Sequence, residues 1–303
     1  MNDLTQTLPA LTYGTMQWGD GASFSDADAM FNVCLDRGLT HFDTAHLYTG
    51  GASETILGQL SQDKRDQLTI ATKIGYGNGA APETLLSEFN ISLQRLQTDY
   101  VDILYLHRWN NDPLEPQLET LATLQQQGKI KHIGASNFAA WQVMKAQAVC
   151  AKLGTQIDVL QPMYSLIKRQ AEVELIPMAQ DQSIAIIPYS PLGSGLLTGK
   201  YTAGGTGRLT ADPRYAKRYG LDWMQHTAAA LSDVAVTCAQ HPATLAVAWA
   251  KGHGCRPIIS AKNMDQLTPS IAAFDLVLTA DQRTAITKLS PTPAPATDRI
   301  EEQ

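Results

Sequence analysis

The chain has 303 residues, 44% of them hydrophobic and 17% charged, and a formal net charge of −6. That length admits one large domain or two small ones, with apolar residues enough for a sizeable core. The acidic balance and the scattered Lys and Arg argue against a nucleic-acid partner, and no apolar run reaches the length of a membrane-crossing helix.

The first residues, Met1-Asn2-Asp3-Leu4-Thr5-Gln6, carry no basic stretch followed by an apolar one, so no signal peptide is expected. The cysteines are Cys34, Cys150, Cys238 and Cys255, and no pair has metal-ligand or redox-motif spacing. Such sparse use suits reduced thiols and a cytoplasmic protein. No His-x-His or His-x-x-x-His pair supports a metal, and none is expected.

Along the chain, eight short apolar runs read as strands: 12–16, 40–43, 68–73, 101–106, 132–135, 159–161, 185–189 and 257–260. Amphipathic stretches at 26–37, 53–60, 82–96, 114–127, 139–153, 170–182 and 242–251 read as helices between them, and 280–289 as a last helix. Ser53, Asp281, Pro82 and Pro242 sit where helices should begin; Gly38, Gly128 and Gly154 sit where they should stop. Eight strand–helix units in one chain predict an α/β fold, a (β/α)8 TIM barrel in a single domain over 1–303. One stretch breaks the rhythm: 193–221 is rich in Gly, Thr and Arg, and 222–240 reads as an extra helix. It predicts a long insertion after the seventh strand, at the barrel mouth, where such loops serve binding. Residues 290–303, with Pro291, Pro293 and Pro295, read as an extended tail.

Asp43, Lys73 and His107 close or follow predicted strands, and Tyr48 stands five residues after Asp43. Residues at the C-terminal ends of barrel strands share one mouth. A phenol there can donate a proton, an ammonium can lower the phenol's pKa, a carboxylate can hold the ammonium, and an imidazole can orient a carbonyl. Singly, each residue has an ordinary explanation as a half-buried Tyr, a solvent-seeking Lys, a capping Asp or a structural His.

Together they stand within a series of words: Phe42-Asp43-Thr44-Ala45 with Tyr48, Gly51-Ala52-Ser53-Glu54, Ala71-Thr72-Lys73, Asp99 through His107-Arg108, Gly128-Lys129-Ile130 through Gly134-Ala135-Ser136-Asn137-Phe138, Gln161-Pro162-Met163-Tyr164-Ser165, and Tyr189-Ser190-Pro191-Leu192-Gly193 with Thr198-Gly199-Lys200-Tyr201. In that order, from about Gly14 to about Leu289, the chain resembles the aldo-keto reductase superfamily. The resemblance implies reduction of aldehydes or ketones with a nicotinamide coenzyme. Tyr48 would be the general acid, Lys73 and Asp43 would tune it, and His107 would orient a small carbonyl substrate.

The same resemblance implies a coenzyme cradle. Gly14, Thr15 and Asp43 would lie along it, Ser136, Asn137 and Gln161 would hold the carboxamide, and Tyr189 would stack on the nicotinamide. Ser190, Pro191, Leu192, Gly193 and Ser194, as far as Leu196, would wrap the pyrophosphate with Lys200. Near the adenosine end, Ser260, Lys262 and Gln266 remain, but Gln266 stands where some members have arginine, and Pro269-Ser270 replaces an acid–amide pair. NADP(H) is the expected coenzyme, with NAD(H) open. Trp18, Tyr76, Trp109, Phe138 and Tyr164 are expected to line an aromatic substrate pocket. Arg108 either attracts an anionic substrate or pairs at the surface.

Two motifs point elsewhere. Gly75-Tyr76-Gly77-Asn78-Gly79-Ala80 fits G-x-G-x-x-A, but Pro82 opens the next helix, and it reads as a mouth loop. Gly193 to Lys200 resembles a phosphate-binding P-loop with one spacing wrong and Tyr201 in place of Ser or Thr. Two rival functions stay open. One is a non-catalytic, coenzyme-binding regulatory member of the superfamily, resembling the potassium-channel β-subunits. The other is a Rossmann dehydrogenase using the Gly75 loop.

Overall fold

Strands that bury both faces read as unbroken apolar runs, and such strands belong in a parallel sheet covered by helices. The structure, a computed structural model, describes residues 4–77, 79–202 and 204–297. It contains β1 (Thr12–Gly14), β2 (His41–Asp43), β3 (Thr69–Ile74), β4 (Val101–Leu106), β5 (Ile130–Ser136), β6 (Val159–Gln161), β7 (Ala185–Ile186) and β8 (Ile258–Ile259). All pair in parallel in the order β7-β6-β5-β4-β3-β2-β1-β8. The two ends of that order are joined by backbone bonds from Arg256 N to Ile186 O and from Ile258 N to Pro188 O, both 2.9 Å. The sheet therefore closes on itself as an α/β barrel.

The barrel interior is filled by Ala71, Ile103, Tyr105, Val159, Ala185, Ile187 and Ile258, with Leu8 packed among them. Tyr105 fits because Gly134 stands opposite it in the register: a Cβ at Gly134 would lie 2.3 Å from the Tyr105 ring. The larger core lies between strands and helices, where Tyr13, Trp18, Phe31 and Phe42 form a tilted aromatic cluster.

The helices follow their local signals. Ser23 caps Phe24–Asp36 in a reciprocal box with Asp26. Pro82 opens Pro82–Leu96, which buries Leu85, Phe89, Leu93 and Leu96 at helical spacing. Leu114–Gln126, Ala140–Lys152 and Pro242–Lys251 also lie within about a residue of their predicted bounds.

Several expected elements differ. β7 stops at Ile186 rather than 189, because Pro188 has no N–H to give, although Ile187 N and Tyr189 N still bond to Leu160 O and Pro162 O. β1 ends at Gly14, where Thr15 N turns onto Asp43 O. The helix expected over 170–182 is a short 3₁₀ turn, Gln170–Glu172, and then Leu175–Asp181. The segment after β7, read from sequence as a loop, contains Arg208–Ala211 and Pro213–Tyr219, the second capped by Asp212 with Pro213 in its first turn. A further helix, Met264–Ile271, was not expected: Pro269 lies inside it, and the Asn263 side chain caps it by accepting from Gln266 N. Residues 290–297 form neither helix nor strand; the rest of the predicted tail, 298–303, and Asn78 of the Gly75 loop lie outside the described residues.

Candidate active site

The barrel carries three of the four expected catalytic side chains to one end by its strand register alone. Asp43 ends β2, Lys73 is the penultimate residue of β3, and His107 follows β4 directly. Tyr48 arrives from the loop after β2, at the start of the 3₁₀ turn Tyr48–Gly51. Lys73 is fully buried, and its three donors are all used. The ammonium donates to Asp43 Oδ1, to Thr44 O at 2.7 Å and to Tyr48 Oη at 3.4 Å. Asp43 Oδ2 accepts from Gln161 Nε2 at 2.8 Å. The Tyr48 and His107 rings meet edge-on with centroids 6.0 Å apart.

Burial works against the Lys73 charge, but Asp43 and Tyr48 outweigh it and hold the ammonium above its usual range. Burial lifts Asp43, and Lys73 opposes that lift. With three acceptors around one ammonium, the pair is ionic. Tyr48 departs from the sequence expectation in its net direction. Burial raises the phenol's pKa more than Lys73 lowers it, so the phenol stays protonated at neutral pH. The role expected of Lys73 survives as the opposing contribution. His107 is pushed down to about 3, by burial first and then by Lys73 and Arg108, so its imidazole is neutral. Its Nδ1 is buried without a hydrogen-bond partner among the described residues.

Asp43, Tyr48 and His107 line a cleft of about 1050 Å³. Gly14, Ser136, Asn137, Gln161, Tyr189, Ser190, Pro191, Leu192, Ser194, Lys200, Ser260, Lys262 and Gln266 line it as well. Asn137 is cross-braced. Its Nδ2 donates to His107 O at 3.0 Å, and its Oδ1 accepts from Tyr189 Oη at 2.7 Å. Asn137, Ser190 and Ser194 all adopt positive φ, 57°, 60° and 56°. Left-handed backbone is costly for residues with a Cβ, and here it clusters at the barrel mouth. Five cationic side chains line the cleft, Arg108, Lys200, Arg208, Arg218 and Lys262, against the carboxylates of Asp43 and Asp265. A cation-rich cleft of this volume, in a chain of net negative charge, suits an anionic ligand better than a neutral one.

Not every expected residue lies there. Trp18 is buried in the core, its indole N–H on Tyr13 Oη at 3.3 Å, because the chain turns inward after Thr15. Tyr164 is buried against Trp249 and donates to Glu172. Trp109 and Phe138 pack edge-on against each other, with Trp109 also on Trp141, away from the cleft. Thr15 spends its hydroxyl on Asp43 O and Ser53, and Gly193 packs under Ile167. Of the five expected pocket aromatics only Tyr76 lines the cleft, 4.9 Å from the His107 ring and beneath the Arg108 guanidinium. Sequence reading missed Leu47, Tyr215, Arg218 and His241. Leu47 adjoins Tyr48 and was accessible by proximity. The Asp212-Pro213 helix signal could have led to Tyr215 and Arg218.

A closed parallel barrel with a phenol, an ammonium, a carboxylate and an imidazole gathered at the C-terminal ends of its strands defines the class: an α/β barrel whose mouth is equipped for proton transfer. Comparison with known proteins makes it specific. The model of the aldo/keto reductase family matches residues 10–291, and the chain belongs to that family. Human aflatoxin B1 aldehyde reductase member 4 is 38% identical over 205 residues, 65% of this chain and 62% of the relative. The match thus spans less than two thirds of that relative's length. Rat aflatoxin B1 aldehyde reductase member 2 is 31% identical over 88% of this chain and 80% of its own. Escherichia coli protein tas is 31% identical over 90% and 92%. Among the described residues, no cluster of His, Cys, Asp and Glu is arranged to hold a metal, and no helix is long and apolar enough to cross a membrane.

Proposed function

We propose that this protein is an oxidoreductase, a single barrel domain that reduces aldehydes or ketones to alcohols with NADPH. Aldo-keto reductases as a family use a nicotinamide coenzyme. The observation that carries the reading is the Lys73 ammonium held between Asp43 and the Tyr48 hydroxyl, both of which line the cleft. Ser136, Asn137, Gln161 and Tyr189 would hold the nicotinamide. Ser190 to Ser194 and Lys200 would hold the pyrophosphate, and Lys262 and Gln266 the adenosine end. The coenzyme, when bound, supplies a hydride to the carbonyl carbon.

The chain's own residues do the rest. As negative charge grows on the carbonyl oxygen, the Tyr48 hydroxyl gives it a proton. Lys73 stabilises the phenolate that remains, and Asp43 fixes Lys73 in place. Neutral His107 orients the carbonyl without competing for that proton. These interactions strengthen as charge develops, so they favour the transition state over the ground state. Leu47, Tyr76 and Tyr215 favour apolar or aromatic carbonyls. Four free cysteines, three of them buried, suit a cytoplasmic site of action.

A coenzyme-oxidation assay over a panel of aliphatic and aromatic carbonyls tests the reading. NADPH consumption with alcohol formation is expected. Tight coenzyme binding without turnover on any carbonyl would instead identify a coenzyme-binding regulatory member.

A further inference from the structure

The proton donor and its cationic partner sit on different segments, the loop after β2 and the strand β3. Their separation, 3.4 Å, has to be set by something. Behind them lies an ion pair with no part in the chemistry above. Glu54, on the helix Ala52–Ser61, is fully buried. Its Oε1 accepts from the hydroxyl of Thr72, the residue before Lys73, at 2.6 Å. Its Oε2 accepts from Arg95 Nη1 at 3.2 Å, and Arg95 comes from a different helix, Pro82–Leu96. The same Nη1 donates to the carbonyl of His46, two residues before Tyr48, at 2.9 Å. His46 N in turn bonds to Lys73 O at 3.0 Å. The His46 imidazole also approaches Arg95, its Nδ1 lying 3.5 Å from Nη1.

The backbone beyond Tyr48 is shaped around this guanidinium. Thr49, Gly50 and Gly51 run through positive φ, 48°, 64° and 99°. A Cβ at Gly51 would lie 2.3 Å from Arg95 Cζ, so the turn closes onto the ion pair. One buried carboxylate and one guanidinium therefore grip both segments that carry the reacting pair.

We infer that Glu54 and Arg95 are positioning residues that set the distance between Tyr48 and Lys73. The inference rests on the carbonyl-reduction reading. Neither side chain lines the cleft, so neither contacts substrate or coenzyme. Loosening the grip lets the phenol drift from the ammonium, which weakens the one interaction that lowers the phenol's pKa. A misplacement near 1 Å is worth about 10²-fold in rate.

The test uses Glu54→Gln, Arg95→Met and the double variant, which removes both charges and leaves no buried ion unpaired. Two quantities are measured on each: kcat, and the ionisation of Tyr48 followed by NMR of ring-labelled tyrosine, with Tyr48→Phe as the assignment control. The phenol titration needs no turnover, so it reads the inference even if no carbonyl is reduced, and an inactive wild type counts against the function alone. The expected result is a Tyr48 midpoint moved upward and kcat lowered by about 10²-fold, with NADPH affinity within about twofold of wild type. A Tyr48 titration and a kcat matching wild type in the folded double variant, whatever its thermal stability, would overturn the inference and leave the pair a purely structural one.

Discussion

The parts of the cleft proposed for catalysis and for the adenosine are built differently. In the part proposed for catalysis, Asp43, Lys73 and His107 are buried at strand ends, and Lys73 has every donor satisfied. In the part proposed for the adenosine, Lys262 and Gln266 are exposed, and Lys262 N leans on the Gln266 side chain at 3.2 Å. Burial makes charge interactions strong and unforgiving; exposure makes them weak, salt-screened and replaceable. The buried part is therefore expected to be rigid in both structure and chemistry, and the exposed part to tune preference by small increments.

The sharpest way to break that contrast is Tyr48→Phe. Removing the proton donor should lower kcat by about 10²–10⁴-fold while leaving coenzyme affinity near wild type. Kinetics and a fluorescence titration on the same sample check both halves; near-normal turnover removes Tyr48 from the mechanism.

Lys73→Met should cost on the order of 10²-fold in kcat and leave a second mark. Lys73 opposes the burial that raises the Tyr48 pKa, so its loss should raise that pKa further. The alkaline fall in the pH–rate profile, where the donor loses its proton, should then move upward. An unmoved limb would show that Lys73 does not tune the donor.

Acid should expose the buried end in a different way. His41 and His107 are both pushed down to about 3 by burial, from an ordinary 6.5. In the unfolded chain they bind protons near 6.5, and in the folded chain they do not until about 3. Their contribution is therefore present above pH 6.5 and lost as pH falls toward 3, at about 1.4 kcal/mol per pH unit for each. Denaturation at stepped pH should show this fall, and His107→Asn should make it shallower. An equal slope in the variant would mean that His107 is not buried neutral.

The smallest effect belongs to Lys262. Lys262→Ala should weaken NADPH binding by about 1 kcal/mol, roughly fivefold, and leave NADH binding nearly unchanged. Added salt should erase most of the difference. Asp265 also lines the cleft. A wild type that binds NADH more tightly would assign the adenosine end to an unphosphorylated ribose instead.

What was legible in the sequence follows the same division. Asp43, Lys73 and His107 were readable because strand period and barrel closure place strand-end residues together regardless of detail. Helix starts at Pro82 and Pro242 were readable from local chemistry. The turn of β1 that buries Trp18 was not, because nothing near residue 18 says that its indole meets Tyr13 rather than the cleft. Trp109 and Phe138 failed for a related reason: aromatic side chains near a mouth can pack on one another as readily as on a ligand. Met264–Ile271 was hidden by Pro269, whose missing N–H argues against a helix that Asn263 nevertheless caps. Tyr215 and Arg218 reach the cleft through tertiary folding of the segment after β7: the Asp212-Pro213 signal marks their helix but not where that helix packs.

The most direct test of carbonyl reduction is transfer of label. NADPH deuterated at the nicotinamide C4 hydrogen, in both stereochemical forms, is incubated with an aromatic aldehyde and the product examined by mass spectrometry. Deuterium on the carbinol carbon is expected from one of the two forms with wild-type protein, and almost none with Tyr48→Phe despite equal coenzyme binding. Bound coenzyme with no deuterated alcohol from either form, across the carbonyl panel, would contradict it.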